Sequence, residues 1–293
     1  MKKIEGNSKT TKQKTFALGI WFRKVSLLFV LVLFPISYTN ALCNDVPFGN
    51  NETIEFEIKY KYGIAVLKAG NIQLNVKSDN YGNIPAYRSE VNLKTSSFFD
   101  NLYKMRDTLI SYASVPNITP LFHFRSVNEG SSHFREEQVV LNHSKKGSSI
   151  RVIRTKGETT LIDSVIYSRD EGFDIPNLLL YIRSLDYSNL KVGDTMYVTT
   201  FLGKKQTSVV CIYRGEAIVQ KSKKKYKTLK FDFDVVNDVF TESKKALELW
   251  IGDDENRLPI KLKAKLKIGA AEAVITSFKN LKYPFDAEVS TKK

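Results

Sequence analysis

From Thr53 onward, apolar and polar residues alternate along the chain with a period of two. The stretch Ile54–Tyr62 (IEFEIKYKY) shows this alternation over a full strand length, and Ile72–Lys77 (IQLNVK) repeats it. Such a period is typical of a strand with one buried and one wet face, because successive side chains point to opposite faces. Similar runs, bounded by turn residues, recur as far as Phe278. We therefore predict an all-β, mostly antiparallel protein, built as a curved sheet or half-barrel or as two packed sheets.

One segment, residues 174–185 (DIPNLLLYIRSL), breaks this alternation. Its apolar residues fall at helical spacing, Asp174 is a favourable N-cap and Pro176 suits the first turn. We predict one main amphipathic helix here, covering the concave face of the sheet. A second, short helical turn is predicted within Ser96–Met105. The apolar face of the main helix is the candidate ligand-binding surface, formed by Ile175, Leu178, Leu179 and Ile182.

The order of these segments predicts one domain. No Gly-, Ser- or Pro-rich linker separates the strands before the helix from those after it, so we expect a single β-rich domain over residues 53–285. Residues 42–52 are expected to form an N-terminal arm and residues 286–293 a C-terminal tail.

Residues 1–41 have the layout of a secretory signal peptide. A basic leader is followed by the apolar stretch Val25–Phe34 and then by small residues up to Ala41. The apolar stretch is too short to span a hydrocarbon core of about 30 Å comfortably. We therefore expect export and cleavage after Ala41, with no transmembrane segment remaining; an uncleaved membrane anchor is the alternative.

The composition is ordinary for a globular protein, and the net charge favours anionic partners. Hydrophobic types make up 42% of the residues, charged types 26%, and the formal net charge is +14. A basic chain favours anionic partners such as lipid headgroups or acidic glycans, although charge does not identify an activity. After signal cleavage two cysteines remain, Cys43 and Cys211, which could form a disulfide in an oxidising compartment. Two unpaired thiols, with Cys211 simply buried, are the alternative.

A series of short motifs follows the helix in a fixed order. Together with the strand pair that opens at Tyr60–Ala65, they resemble an uncharacterised family of exported bacterial proteins catalogued as domain of unknown function 3108. The resemblance implies a β-rich protein of the periplasm or cell envelope of a Gram-negative bacterium, and it implies no catalytic residues. The motifs are Phe173–Pro176 (FDIP), Lys191–Asp194 (KVGD), Tyr213–Glu216 (YRGE), Tyr226–Thr228 (YKT), Leu249–Ile251 (LWI) and Arg257–Ile260 (RLPI).

Motifs of nucleophilic catalysis and of phosphate loops do not occur in the sequence, which has neither Gly-x-Ser-x-Gly nor Gly-x-x-x-x-Gly-Lys-Ser/Thr. His123, His133 and His143 are ten residues apart and could converge on zinc. A hairpin centred on Glu129 accounts for them more simply. It would pair His123 with Arg135, Phe124 with Phe134 and Arg125 with His133, so that the basic residues share one face. Such a face repels a cation, and we expect no metal; the same face could instead bind an anion.

The remaining charged stretches predict turns and wet strand faces. Asp232 and Asp234 alternate with phenylalanines, which is typical of a wet face, although a carboxylate pair could also serve a glycan hydrolase. Lys221–Lys227 is expected to be a hairpin turn and not a nucleic-acid site. Asp253–Asn256 is predicted to form a turn, with Pro259 opening the next strand. That strand carries a candidate surface for anionic contacts, formed by Lys261, Lys263, Lys265 and Lys267.

These patterns lead to a working hypothesis about function. We expect a non-enzymatic exported protein, without a cofactor, that carries or binds a lipid or a lipid-linked envelope component beneath its helix. The Trp250-to-Pro259 hairpin is similar in kind to one in periplasmic lipoprotein-carrier folds, which are half-barrels with a helical lid. The alternatives are a structural or interaction module that binds protein or glycan in the envelope, and a glycan hydrolase that uses Asp232 or Asp234.

Overall fold

The computed structural model describes residues 45–130, 133–202, 205–237, 240–266 and 268–289. All of them belong to one compact unit, Asn40–Lys293. The expected signal peptide and Cys43 lie outside the described residues. The strands are β1 (Glu52–Tyr62), β2 (Ala65–Tyr81), β3 (Ile84–Thr95), β4 (Arg106–Ser114), β5 (Pro120–Glu129), β6 (His133–Ser144), β7 (Gly147–Lys156), β8 (Thr159–Ser168), β9 (Gly172–Phe173), β10 (Thr195–Leu202), β11 (Lys205–Lys221), β12 (Lys224–Asn237), β13 (Phe240–Gly252), β14 (Pro259–Lys265), β15 (Ala270–Lys279) and β16 (Glu288–Val289). The helices are α1 (Ser97–Tyr103) and α2 (Ile175–Arg183).

All the strands belong to a single 16-stranded sheet, in the order β8-β7-β6-β5-β4-β3-β2-β1-β15-β14-β13-β12-β11-β10-β9, with β16 added to β12. Among the strands that the structure describes, the short β9 alone pairs in parallel, with β10. The sheet curves into a nearly closed, barrel-like shape, and its two edges approach each other. Gln206 Nε2 donates a hydrogen bond of 3.0 Å to Ser168 Oγ, and Thr199 Oγ1 donates one of 3.1 Å to Asp170 Oδ2. The all-β prediction is confirmed, and the alternative of two packed sheets is wrong.

The antiparallel register gives the barrel two distinct ends. At one end, here called the hairpin end, lie the β1–β2 turn at Gly63, α1, the β5–β6 turn at Gly130 and the β14–β15 turn. At the other end, here called the tail end, lie the first described residues and the C-terminal segment. Phe48 and Ala287 are both buried there. Glu52, the last residue of the predicted arm, opens β1, and Glu288–Val289 of the predicted tail form β16, so these described residues belong to the sheet.

Helix α2 packs inside the barrel and confirms the predicted element. Asp174 is its N-cap and accepts a hydrogen bond of 2.9 Å from the Asn177 N–H, and Pro176 lies in the first turn. The predicted face was wrong in part. Ile175 is 73% exposed, whereas Leu180 and Arg183 are fully buried. The helix contacts core side chains on more than one side, and Arg183 is buried because its charge has a buried partner, Glu52.

The remaining three positions of the predicted face all contact the hydrophobic core. Ile182 is buried within one core cluster, and the half-buried Leu178 and Leu179 pack against it. This packing uses the apolar side of α2 to stabilise the fold, so that side is not an open ligand surface within the described residues.

The β5–β6 hairpin differs in register from its prediction. The pairing joins Glu129 with His133, and the predicted partners of His123 and Arg125 are replaced by Val139 and Glu137. The turn is centred two residues later than expected, because Glu129 continues the strand instead of forming the turn. A shift of two residues leaves each side chain on the face that was predicted for it, so Arg125 and Arg135 still share a face.

Candidate functional site

At the hairpin end, three arginines lie on the inner face of the sheet. The register places Arg125 opposite Glu137, and Glu137 opposite Arg154, on three neighbouring strands. Arg135 lies opposite Val127 in the same row of inward positions. These five residues line a cavity of about 270 Å³, which we call the arginine cup.

The three guanidinium groups differ in how fully they are paired. Arg154 donates through Nε (2.8 Å) and Nη2 to the same oxygen of Glu137. Arg125 Nη2 lies 3.7 Å from an Asp107 oxygen and 3.8 Å from a Glu129 oxygen, and its Nε is buried without a hydrogen-bond partner. No carboxylate among the described residues forms an ion pair with Arg135. Arg125 and Arg135 therefore have N–H groups that could donate hydrogen bonds to an anion in the cup.

Asp107, 5% exposed, lies beside the cup, with a carboxylate oxygen 3.7 Å from Arg125 Nη2. Burial raises the pKa of its carboxyl above the ordinary value; the Asn128 N–H, which donates to it at 3.2 Å, opposes the rise, and the Glu129 carboxylate adds to it. Protonation of Asp107 removes a negative charge from the neighbourhood of Arg125. The cup consequently becomes more attractive to anions as the pH falls towards the raised pKa.

Asp107→Asn should reveal this raised pKa through the pH dependence of stability. A carboxyl whose pKa is higher in the folded than in the unfolded chain stabilises the fold most at acid pH, and this contribution is lost as the pH rises past the folded pKa. The free energy of unfolding of the variant, relative to wild type, should therefore rise between about pH 4 and about pH 7. Urea unfolding at the two pH values measures the difference.

Asp163→Asn is the matched control with the opposite sign. Hydrogen bonds from Arg151 lower the pKa of Asp163, an exposed residue on the outer face of β8. Its substitution should not become more favourable as the pH rises. A flat or falling curve for Asp107→Asn over the same range would contradict the raised pKa.

Deeper inside the barrel, Ser111, His123 and Asp174 lie close together, but their hydrogen bonds are not arranged as in a catalytic triad. Ser111 Oγ donates to Asp174 Oδ1 at 2.7 Å and lies 3.1 Å from His123 Nδ1. The serine thus sits between the histidine and the carboxylate, and its proton is committed to Asp174. In a triad the histidine occupies the middle position. Because Asp174 also caps α2, the cluster fastens the helix to β4 and β5.

The histidines of the sequence do not converge in the described part of the chain. His143 bonds to Ser148 Oγ (2.8 Å) and to the Pro120 carbonyl (2.5 Å), whereas His123 faces Ser111. The side chain of His133 lies outside the described residues. Searched over those residues, the structure has no group of three His, Cys, Asp or Glu side chains arranged to hold a metal ion.

Of the two aspartates considered for hydrolysis, Asp232 is fully buried beside basic side chains, and its Oδ1 has no hydrogen-bond partner among the described residues. Asp232 Oδ2 accepts a hydrogen bond of 2.8 Å from Arg214 Nε, and Lys230 and Lys245 each lie 3.6 Å from its carboxylate. Asp234 instead accepts the backbone N–H of Lys245 at 2.7 Å. Lys245 thus contacts both carboxylates, Asp232 through its Nζ and Asp234 through its backbone N–H.

Two lysines of the predicted four-lysine face form ion pairs. Lys261 lies 3.4 Å from Glu272, and Lys263 donates to Glu248 at 3.1 Å. Lys265 is exposed, and Lys267 lies outside the described residues. The free positive charge of this strand is thus concentrated at its hairpin end.

Cys211 is a free, buried thiol on β11, and burial raises its pKa. The expected partner, Cys43, lies outside the described residues, so the disulfide stays a prediction.

In the described part of the chain, no helix is both long enough and apolar enough to cross a bilayer.

A second, larger concavity of about 510 Å³ lies across β1–β4. The register places most of its polar side chains on the outer face of the sheet, where Thr108 Oγ1 donates to Asn92 Oδ1 at 2.9 Å and Arg106 is paired with Asp100. Further outward-facing members are Glu55, Asn71, Gln73 and Lys94. The groove is an amide- and hydroxyl-rich surface.

The arginine cup was not recognised in the sequence as an inward-facing site. A signal was present, because the residues that share a face with Arg154 on β7 are Ile150 and Val152, both buried. An arginine that continues an apolar row must either leave the core or face an interior cavity. Which of the two applies depends on where the barrel ends, and the sequence pattern does not contain that information.

Comparison with known proteins agrees with this architecture. A solved structure with a similar fold is described as a beta-barrel-like protein of domain of unknown function DUF1849 from Brucella abortus, with a TM-score of 0.55 and 7% sequence identity. The match covers 81% of this chain and 100% of that chain, and at this identity it concerns the fold alone. No curated protein matches the sequence. The model of the family described as protein of unknown function (DUF3108) matches residues 55–276. The chain therefore belongs to the DUF3108 family.

Proposed function

We propose that this protein is a non-enzymatic binding module of the bacterial cell envelope, which holds an anionic group of its ligand in the arginine cup. The observation that carries the proposal is the incomplete pairing of Arg125 and Arg135 inside the barrel. The export signal predicted in residues 1–41 supports the location.

The chemistry of guanidinium groups favours a carboxylate or phosphate as the bound group. A buried donor without an acceptor costs about 1–3 kcal/mol, and charge-assisted hydrogen bonds to an anion recover this cost. The planar guanidinium fork fits the paired oxygens of carboxylate and phosphate. A cavity of about 270 Å³ accommodates a headgroup but not a whole lipid.

The lipid or lipid-linked ligand that the sequence suggested is thus expected at a different place from the helix face. The helix face that was expected to hold its apolar part packs into the core through Leu178, Leu179 and Ile182. We place the charged part of the ligand in the cup at the hairpin end instead, with any attached chain outside the barrel.

A second candidate function is favoured by the outer groove across β1–β4. Its amide and hydroxyl side chains, among them Asn71, Gln73 and Thr108, are of the kind that hydrogen-bond sugar hydroxyls. A glycan-binding interaction module would use this surface and leave the cup empty, so binding that survives changes in the cup would favour this second candidate.

Arg135→Gln is the direct test of the cup. Loss of a charged donor should weaken the binding of inorganic phosphate or acetate about tenfold or more, because hydrogen bonds to charged groups contribute about 1.5–3 kcal/mol. Isothermal titration calorimetry of wild type and variant measures the two dissociation constants.

Arg151→Gln is the matched control, since Arg151 lies on β7 close to Arg154 but faces outward and pairs with Asp163 at 3.0 Å. It should bind both anions as wild type does. Equal affinities of the Arg135 and Arg151 variants, or absence of anion binding by wild type, would contradict the proposal.

A further inference from the structure

The hairpin end carries exposed apolar side chains on three neighbouring elements. They lie on the β1–β2 turn region, on α1 and on the β14–β15 turn, and the most exposed is Ile64 at the tip of its hairpin. We call this surface the apolar rim; it consists of Ile64, Val66, Leu67, Phe98, Leu266 and Ile268.

Direct contacts join these elements into one surface. Tyr60 Oη donates a hydrogen bond of 3.1 Å to the Ile268 carbonyl, and the Tyr60 ring lies 6.2 Å from that of Phe99 on α1. Ser96 Oγ, at the N-cap of α1, donates to the Lys68 carbonyl at 3.0 Å. These contacts bring the three elements together, so their exposed apolar side chains are grouped at one end of the barrel and are not scattered singly over the surface.

The charges beside the apolar rim are mainly positive. Lys94, Lys104 and Lys265 are exposed, and none of them forms an ion pair with a described residue. The acidic residues nearby are already paired: Glu57 with Lys68 at 2.9 Å and Asp100 with Arg106 at 2.6 Å. The surface is thus apolar at its tips and basic around them.

We propose that the hairpin end docks on an anionic lipid bilayer, with the apolar rim entering the interface and Lys94, Lys104 and Lys265 contacting the headgroups. Bulky aliphatic side chains at the tips of turns, flanked by lysines, match a surface that is apolar below and negatively charged above. A protein partner would have to match three separate elements and several unpaired lysines at once.

The arginine cup lies at the same end of the barrel, near the β5–β6 turn. Gly130 N donates to the Lys104 carbonyl at 2.7 Å, and Tyr103 Oη donates to Glu129 at 3.1 Å, which connects α1 with that turn. Docking would therefore present the cup to lipid headgroups. The docking proposal does not require the cup to bind an anion, so each can fail without the other.

Co-sedimentation with vesicles tests the docking proposal, using the compact unit Asn40–Lys293, which contains the whole described sheet and its cores. Vesicles of phosphatidylcholine with phosphatidylglycerol are compared with vesicles of phosphatidylcholine alone. Wild type should bind the anionic vesicles more tightly. The triple variant Lys94→Glu/Lys104→Glu/Lys265→Glu should bind them at least about a hundredfold more weakly, since each lost lysine costs about fivefold and the new carboxylates add repulsion.

The apolar part is tested separately by Ile64→Ser/Ile268→Ser. Removing two aliphatic side chains from the interface should weaken binding roughly tenfold for each. The matched control is Ile84→Ser/Ile218→Ser, which changes two exposed isoleucines at the tail end. For the charge change, the control is Lys145→Glu/Lys146→Glu/Lys279→Glu at the same tail end. Both controls should lose much less vesicle binding than the rim variants.

The outcomes separate this proposal from its alternatives. Absence of binding to anionic vesicles, or equal losses in rim and control variants, would overturn it. A dimer that dissociates only in Ile64→Ser/Ile268→Ser, without vesicle binding by wild type, would identify the apolar rim as an interface between copies and would also overturn it. Arg135→Gln changes the cup but leaves the apolar rim and its lysines intact, so it should still bind anionic vesicles more tightly than the triple lysine variant does. Phosphate binding by the rim variants should likewise be unchanged, which separates docking from the function of the cup.

Discussion

Replacing Glu52 by Gln is expected to lower the free energy of unfolding by about 3–5 kcal/mol, because it leaves the charge of Arg183 buried without a counter-charge. Both side chains are fully buried. Arg183 Nη1 donates to Glu52 Oε1 at 2.7 Å, and Nη2 donates to Oε2 at 3.0 Å. The variant keeps the shape of the side chain but loses the charge, so the change isolates electrostatics from packing.

The position of this pair explains the size of the expected effect. It joins the last turn of α2 to the first residue of β1. Arg183 Nη2 also donates to the Asn256 carbonyl at 2.9 Å, and the guanidinium lies 5.0 Å from the centre of the Phe48 ring. A single guanidinium therefore connects the helix with three segments that close the tail end.

Urea unfolding at neutral pH, followed by tryptophan fluorescence, measures the effect. Glu57→Gln is the control on the same strand, since Glu57 faces outward and pairs with Lys68 at 2.9 Å; it should cost at most about 1 kcal/mol. The double replacement Glu52→Leu/Arg183→Met should recover part of the loss, because it removes both buried charges at once. A loss below about 1 kcal/mol for Glu52→Gln would show that the pair does not hold the helix.

Arg183 also shows which features the sequence pattern could predict and which it could not. The apolar spacing of residues 174–185 predicted the helix and its N-cap correctly, since both depend on neighbours within one turn. The same pattern did not indicate that Arg183 is buried. Its partner Glu52 lies 131 positions earlier in the chain, and only the closed barrel brings the two together.

In the candidate site too, local features were predictable from the sequence and long-range contacts were not. Alternation along single strands predicted which residues of β5 and β6 share a face, because a strand fixes that relation locally. The cup depends in addition on the pairing of Glu137 with Arg125 and Arg154, which lie on three different strands. It also depends on α2 filling only part of the interior. The apolar rim was equally hidden, since Ile64 and Ile268 become neighbours through the pairing of β1 with β15.

The turn at Asp253–Asn256 combines a confirmed prediction with a role that the sequence did not reveal. Strands β13 and β14 pair on either side of it, and Pro259 opens β14 as predicted. The side chains of the turn also bind the C-terminal segment. Asp254 Oδ2 accepts the N–H groups of Asp286 and Ala287, each at 3.2 Å. This turn therefore also holds the C-terminal segment in place.

Asn256→Ala is expected to be the second large effect, lowering the free energy of unfolding by about 3 kcal/mol. The side chain is fully buried. Its Nδ2 donates to the carbonyls of Tyr283 (3.0 Å) and Pro284 (2.8 Å), and its Oδ1 accepts the Tyr283 N–H at 2.9 Å. Alanine removes all three bonds and leaves backbone groups without their partner, which costs more than losing exposed hydrogen bonds.

The exposed neighbour Glu255 supplies the control, because Glu255→Ala changes the same turn without touching the tail contacts. Urea unfolding should separate the two variants by about 2–3 kcal/mol. Limited proteolysis with mass detection should trim the C-terminal segment after Asn280 sooner in Asn256→Ala than in Glu255→Ala, since a released segment exposes its backbone. Equal stability and equal trimming of the two variants would mean that packing alone holds the segment, through Phe285 against Phe278 and Tyr226.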